Sequence, residues 1–179
     1  MTIRSHKGIR PHLARTVYID ETAVVIGNVT IGEDSSIWPG AVVRGDLMKI
    51  TIGQRTSIQD NSVIHTTHDG PHSPGGYPTS IGNEVTVGHS VTMHGCVIHD
   101  RVLIGIGTNV LDNAIVESNV VIGAGSLVPP GKKLESGYLY FGSPCKQARP
   151  LNERELEFFE YTAKYYVNLK NEHRSESQP

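Results

Sequence analysis

Aliphatic residues recur at every sixth position along most of this chain, and that period predicts the fold. Side chains repeat every two residues in a strand and about every 3.6 in a helix, so neither element selects every sixth residue over so long a stretch. The pattern is a hexapeptide repeat, which folds as a parallel β-helix. The repeat positions are Ile19, Val25, Ile31, Ile37, Val43, Ile52, Ile58, Ile64, Ile81, Val87, Met93, Ile98, Ile104, Val110, Val116, Ile122 and Val128.

The period changes register at three places. It slips by three residues after Val43, stops over residues 66–80, and loses one residue after Met93. Residues 66–80, TTHDGPHSPGGYPTS, are rich in Pro, Gly and polar side chains, so we expect them to leave the solenoid as a loop. From Ile19 to Ile122, the fourth residue after each repeat position is small or β-branched, except at Leu47 and His68.

The repeat converts sequence distance into spatial distance. In known hexapeptide-repeat proteins, which this pattern resembles, three hexads complete one left-handed coil, and each aliphatic residue points inward. Residues three hexads apart then lie one above the other, about 4.8 Å apart. By this count Arg44, His65 and His94 form one column, and His89 stacks above Asp60 on the preceding face.

A helix is predicted after the repeat. Pro150 ends an irregular segment, and Asn152 with Glu155 three residues later forms a capping box. The helix carries an apolar stripe suited to pack along the solenoid, made of Leu156, Phe159, Ala163 and Tyr166. The predicted organisation is an all-β solenoid over residues 1–150 with loop 66–80 inserted, a C-terminal α-helix over 151–172, and a flexible tail over 173–179.

Composition and charge limit the kinds of binding partner and the cellular compartment that we expect. The chain has 179 residues, 37% of them hydrophobic, and a net charge of −2, which gives no electrostatic case for nucleic acid or an anionic membrane surface. No apolar run is long enough to span a bilayer, and the N-terminal residues lack the apolar segment of a secretory signal. We therefore expect a cytoplasmic protein in which Cys96 and Cys145 are reduced and packed.

Three histidines are the main candidates for chemistry. His65 and His94 are neighbours across one coil, while His89 lies around a corner and can meet the pair of a second copy if prisms assemble with cyclic symmetry. Three neutral imidazoles with one open position form the ligand set of a catalytic Zn²⁺, and Fe²⁺ or Co²⁺ also accepts imidazole. The alternative is that the three side chains are ordinary surface polar residues.

In order and in register with the repeat, the chain carries "VVRGD" at 42–46, "SIQDNSVIH" at 57–65, "VTVGHSVTMHGC" at 85–96, "VVIGAGSLV" at 120–128 and "GSP" at 142–144. With these motifs it resembles the gamma-class carbonic anhydrase-like family of hexapeptide-repeat proteins over nearly its whole length. The resemblance implies a left-handed β-helix and a homotrimer. It also implies metal ligands at His65, His89 and His94, a residue that hydrogen-bonds the metal-bound water at Gln59, and a charged intersubunit network at Arg44, Asp46 and Asp60.

The resemblance implies reversible hydration of carbon dioxide, a small-molecule substrate, by a metal-bound hydroxide at the trimer interfaces. Efficient members carry glutamates that shuttle protons. Here Leu47 follows Asp46, and the loop offers His68 as the leading proton acceptor. Two other classes remain open: a metal-dependent thioesterase, small-ester hydrolase or acyl-CoA transferase, and a non-catalytic metal-bound trimeric scaffold.

Overall fold

The computed structural model describes residues 2–176 as a parallel β-solenoid followed by one α-helix, which confirms the predicted fold class. The elements are β1 Thr2–Arg4, β2 His12–Leu13, β3 Tyr18–Ile19, β4 Val24–Ile31, β5 Ser36–Ile37, β6 Val42–Ile52, β7 Ser57–Ile58, β8 Val63–His65, β9 Thr79–Ile81, β10 Thr86–Val87, β11 Thr92–His94, β12 Val97–Ile98, β13 Val102–Ile104, β14 Asn109–Val110, β15 Ile115–Val116, β16 Val120–Ile122, β17 Leu127–Val128, β18 Lys133–Leu134, β19 Tyr138–Gly142, β20 Cys145–Pro150 and α1 Glu153–Glu176.

Three faces form the solenoid. The first face stacks β3, β5, β7, β10, β13, β16 and β19, and β20 closes its end by pairing antiparallel with β19. The second face stacks β1, β4, β6, β8, β11, β14 and β17, and the third stacks β2, β4, β6, β9, β12, β15 and β18. The long strands β4 and β6 belong to both of these faces, because each continues through the corner between them.

The interior is built from the repeat positions. Every one of them is buried except Ile19, which is half-buried. The small or β-branched residues four positions later are also buried along most of the solenoid, which brings a second inward side chain to each hexad. After Met93 the missing residue changes this spacing, so Cys96 occupies the buried position and Val97 is only partly covered. Both thiols are free and buried.

The two larger register changes appear as local departures from the ladder. Between β4 and β6, Gly27 pairs with Gly45 but Val29 pairs with Ile50, so residues 46–49 face Asn28 alone, an excess of three residues at that corner. Over the predicted loop, β8 ends at His65 and β9 begins at Thr79. An antiparallel bridge between Thr67 and Tyr77 closes the base of this loop.

The helix begins with the predicted capping box. Asn152 Oδ1 accepts a hydrogen bond from the Glu155 backbone N–H at 3.0 Å, and Glu155 Oε2 accepts one from the Asn152 N–H at 2.9 Å. The helix continues to Glu176, four residues beyond the predicted end at 172, so the predicted tail at 173–179 is helical at its start. Residues 177–179 of that tail lie outside the described residues.

The helix packs along the first face of the solenoid, over β3, β5 and β10. Phe159 and Ala163 are buried as the apolar stripe predicts, but Leu156 is 45% exposed, so its assignment to the packed stripe is wrong. The contact instead continues through Thr162 and Lys170, because the helix meets the sheet only after its first turn. Among the described residues, no helix is long and apolar enough to cross a membrane.

Candidate metal centre

His65 and His94 lie side by side on the second face, at the ends of β8 and β11. The two strands pair in the predicted register, with His65 opposite His94. Their rings approach so that His65 Nδ1 is 3.1 Å from His94 Nε2, with ring centroids 5.0 Å apart. The predicted column is therefore confirmed for the two histidines, and the pairing of β6 with β8 puts Arg44 one coil below His65.

Each of these rings uses its other nitrogen to bind a carboxylate. His65 Nε2 lies 2.9 Å from Asp46 Oδ1, and His94 Nδ1 lies 2.7 Å from Asp112 Oδ1. A carboxylate only accepts hydrogen bonds, so the ring protons belong on the nitrogens that face Asp46 and Asp112. In the neutral rings the two facing nitrogens are then both lone-pair acceptors at 3.1 Å, an arrangement that a shared proton or a bound cation would satisfy.

The surroundings of His65 favour its neutral imidazole. Burial lowers the pKa of His65, and the positive charge of Arg44 lowers it further against the opposing effect of Asp46. Burial alone would raise the pKa of Asp46, but its hydrogen bonds to His65 and Arg44 outweigh that effect and lower it. Arg44 NH1 lies 2.6 Å from Asp46 Oδ2, so one carboxylate joins the guanidinium to the imidazole.

His89 lies on a different corner, after β10 of the first face. Its stacking above Asp60 is confirmed: β10 pairs with β7, and His89 Nδ1 is 2.8 Å from Asp60 Oδ2. The His89 side chain is 50% exposed, so its Nε2 edge is open to a neighbouring molecule. Within residues 2–176 of one chain, no three His, Cys, Asp or Glu side chains come together as a metal-binding group. The structure thus brings His65 and His94 together and leaves His89 apart from them.

The remaining predicted site residues occupy distinct surroundings. Gln59 is buried one residue after β7, and its side chain hydrogen-bonds Tyr166 of α1. Burial raises the pKa of Tyr166, and the nearby Tyr165 hydroxyl adds to that increase. His68 is exposed in the loop, and within residues 2–176 no hydrogen bond joins its ring to the histidine pair.

Two residues at this centre were missed by reasoning from the sequence. Asp112 binds His94, and Thr67 donates a hydrogen bond from Oγ1 to Asp112 Oδ1 at 2.9 Å. The repeat count could have found Asp112, because it lies two residues after Val110 and therefore stacks above Gly95, beside His94. Thr67 carries no comparable signal, since it lies in the segment where the repeat stops.

Large apolar side chains are exposed near the predicted ligands. Val63 is 39% exposed two residues before His65, and Leu47 is 47% exposed next to Asp46. Ile106 is 56% exposed at the position that stacks on His89. Exposed apolar side chains thus lie beside both the His65–His94 pair and the separate His89.

Comparison with known proteins places the chain among hexapeptide-repeat proteins. The family model for bacterial transferase hexapeptide repeats matches residues 10–45 and 95–130. The chain is 51% identical to the Escherichia coli protein YrdA over 96% of this chain and 93% of that protein. It is 40% identical to a probable carbonic anhydrase of Methanocaldococcus jannaschii over 88% of this chain and 94% of that protein. The crystal structure of a putative acetyltransferase of Bacillus cereus superposes with a TM-score of 0.92 at 35% identity, covering 98% of both chains.

Proposed function

The chain belongs to the gamma-class carbonic anhydrase-like family of hexapeptide-repeat proteins, and from that membership we propose that it catalyses the reversible hydration of carbon dioxide at a metal centre shared between copies. One observation carries the proposal. His65 Nδ1 and His94 Nε2 face each other at 3.1 Å while the opposite nitrogen of each ring binds a carboxylate. Carboxylate support of this kind is typical of histidines that ligate zinc.

The donor set fits a tetrahedral ion with imidazole ligands. Two nitrogens that each lie about 2.0–2.1 Å from such an ion are about 3.3–3.4 Å apart, close to the separation of this pair. Zn²⁺ is the proposed ion, and Fe²⁺ or Co²⁺ suits the same ligands. When bound, the ion supplies a water whose pKa is lowered to about 7, and hence a nucleophile for carbon dioxide near neutral pH.

A second copy of the chain would supply the third ligand. His89 donates from Nδ1 to Asp60, which leaves its exposed Nε2 edge as the acceptor for a metal. The exposed apolar side chains of Leu47, Val63 and Ile106 lie beside these groups and would be covered by such an assembly. Cyclic symmetry then gives a homotrimer in which each interface joins one His65–His94 pair to one His89.

The chain's other site residues have separate roles in this proposal. Gln59 would hydrogen-bond a water bound in the loaded site, and Tyr166 holds the Gln59 amide in place. Arg44 and Asp46 fix His65 and extend toward the neighbouring copy, where Asp60 offers a carboxylate to the guanidinium. His68, exposed in the loop, is the proposed proton acceptor to solvent.

Stopped-flow measurement of carbon dioxide hydration tests the reaction. Protein loaded separately with Zn²⁺ and Fe²⁺ should exceed a His65→Ala variant treated in the same way. A His68→Ala variant should lose rate at low buffer concentration and regain it when a small imidazole buffer is added, because the buffer replaces the proton acceptor. Equal rates for the wild-type and His65→Ala proteins with both metals would refute hydration as the activity.

Mixing two variants tests the shared site. Neither a His89→Ala chain nor a His65→Ala/His94→Ala chain can complete the ligand set alone, so each should hold little metal. Co-refolded trimers of the two chains should regain metal at interfaces where an intact pair faces an intact His89. If mass measurement confirms mixed trimers and they hold no more metal than the parents, the ligands do not come from two copies.

Acyl transfer or thioester hydrolysis is the second candidate, favoured by the close superposition on the putative acetyltransferase of Bacillus cereus. An acyltransferase needs one histidine as general base, whereas the paired rings and their two carboxylates exceed that need. Thiol release from a panel of acyl-CoA substrates separates these activities from hydration. Metal binding with no activity in either assay would favour a trimeric scaffold.

A further inference from the structure

We propose that Asp112, oriented by Thr67, is a positioning residue that sets the proton and the ring orientation of His94. The inference rests on the proposed role of His94 as a metal ligand. Asp112 Oδ1 accepts a hydrogen bond from His94 Nδ1–H, with the two atoms 2.7 Å apart, and another from the Thr67 hydroxyl at 2.9 Å. The carboxylate and the hydroxyl act on the ring edge that faces away from His65.

The fold delivers Asp112 to this position through a glycine. Asp112 follows β14, which pairs with β11, so it comes from the coil directly above His94. A Cβ atom on Gly95 would lie 2.4 Å from Asp112 Oδ1, and Gly95 has a positive φ of 56°. Only glycine leaves the space through which the carboxylate reaches the ring.

Thr67 connects this carboxylate to the base of the loop. Its backbone N–H donates to Tyr77 O at 3.1 Å, and the Tyr77 N–H donates back to Thr67 O at 2.9 Å. The backbone of Thr67 is thereby held by two hydrogen bonds, and its hydroxyl lies against both Asp112 and His94 Nδ1, at 2.9 and 3.3 Å. A fixed donor on Asp112 limits the rotation of the carboxylate.

The two ligand rings need opposite tautomers, and the carboxylates supply them. His65 presents Nδ1 to the centre and carries its proton on Nε2, facing Asp46 from the coil below. His94 presents Nε2 and carries its proton on Nδ1, facing Asp112 from the coil above. Without Asp112 the ring of His94 can carry its proton on Nε2, which removes the lone pair from the centre.

Three variants of the full-length assembly test the inference against a matched control. Asp112→Ala removes the acceptor, Asp112→Asn keeps a carbonyl acceptor without the charge, and Thr67→Val removes only the hydroxyl. Asp100→Ala is the control. Asp100 also reaches over a glycine, since a Cβ atom on Gly82 would lie 2.4 Å from Asp100 Oδ1, but it binds Asn83 instead of a histidine.

Metal dissociation constants and imidazole ¹⁵N NMR give independent readings. Asp112→Ala should bind Zn²⁺ and Co²⁺ about 10–100-fold more weakly, as expected for loss of a carboxylate that supports a ligand. Asp112→Asn and Thr67→Val should fall between it and the wild-type protein, and Asp100→Ala should match the wild type. In metal-free protein, His94 should be protonated on Nδ1 in the wild type and gain the Nε2-protonated form in Asp112→Ala.

The two readings separate failure of this inference from failure of the proposed function. Unchanged metal affinity in a folded Asp112→Ala protein, or an equal loss in Asp100→Ala, would overturn the positioning role. An unchanged His94 tautomer in that variant would also overturn it. If the wild-type protein binds no metal while the tautomer still depends on Asp112, the metal centre fails but control of the ring by Asp112 stands.

Discussion

Neutralising Asp34 should destabilise the protein more than removing its buried partner, Lys170. Lys170 lies on α1 with its side chain fully buried, and its Nζ is 3.0 Å from Asp34 Oδ1 on the solenoid. Asn171 Oδ1 accepts a second hydrogen bond from Nζ at 2.7 Å. Asp34 is 38% exposed, so water reaches the carboxylate of the pair but not the ammonium group.

The asymmetry sets the expected magnitudes. Asp34→Asn keeps the side-chain size and suits the positive φ of 60° at that position, but it leaves a buried ammonium beside neutral acceptors. Loss of one partner from a fully buried pair costs about 3–5 kcal/mol, and access of water to this carboxylate lowers our expectation to about 2 kcal/mol. Lys170→Met fills the same space without a charge, so its free energy of unfolding should change by less than about 1 kcal/mol.

The single tryptophan supplies a local assay for this prediction. The Trp38 ring lies between the solenoid and α1, with ring centroids 5.2 Å from His173 and 6.1 Å from Tyr166. Urea unfolding of the full chain, followed by Trp38 fluorescence and by circular dichroism, would give both the local and the global free energy. The double variant should resemble Lys170→Met alone, because the stranded charge is then gone.

The ion pair should also make the stability of the fold depend on pH. Burial alone would raise the pKa of Asp34, but the hydrogen bond and charge of Lys170 outweigh it and lower that pKa. The ion pair therefore stabilises the fold above the ordinary carboxyl pKa of about 3.9, and this stability is lost as the pH falls through the lowered value. If Lys170→Met costs as much as Asp34→Asn at pH 7, the cost of Asp34→Asn does not come from a buried ammonium left without its partner, and the reasoning is wrong.

Two further substitutions have matched controls. Gly95→Ala should lower the free energy of unfolding by about 2–4 kcal/mol, because the backbone there is left-handed and the new Cβ atom would lie 2.4 Å from Asp112. Gly107→Ala, at a φ of 70° with nothing within 4 Å of the new Cβ atom, should lower it by only about 1–2 kcal/mol. Equal losses in thermal unfolding would contradict the role of the overlap. Hydrogen bonds from Arg149 lower the pKa of Glu155 to about 2, so the wild type should lose stability as the pH falls from about 4.5 toward 2. In urea titrations at a series of pH values, the free energy of unfolding of Glu155→Gln should depend less on pH. An identical pH dependence for the two proteins would contradict this prediction.

The solenoid and half of the candidate metal centre follow from the repeat together with the three-face coil that its resemblance to known hexapeptide-repeat proteins implies. A fixed period makes the pairing of His65 with His94, and of His89 with Asp60, a matter of counting coils. Counting fails where the period itself changes. The extra residues 46–49 carry Asp46 out of the ladder, so the family resemblance could place it near the site, but the spacing could not predict its contact with His65.

Neither the burial of Lys170 nor the exposure of Leu156 on α1 could be predicted from the sequence. Lysine is seldom fully buried, so the apolar periodicity of α1 does not predict that Lys170 faces the solenoid. The same periodicity includes Leu156, because spacing along a helix does not say which turn first touches the sheet. In both cases the deciding quantity is the line of contact between helix and solenoid, which arises only from the packed structure.

The structure of the hexad determines which positions can carry the polar side chains of the candidate site. The inward residues are committed to the core, and the corners require left-handed backbone at positions such as Asn61 and Ser90. Along the regular part of the repeat, the polar side chains of the candidate site therefore come from the one or two residues just after an aliphatic position, where side chains leave the prism. Asp60, His89 and Asp112 all lie two residues after such a position. Because neighbours there come from successive coils, a ligand and the carboxylate that orients it are close in space but separated by a full coil of sequence. A search for local motifs finds each candidate ligand; the coil count then finds the partners of His89 and His94, but not Asp46, the partner of His65.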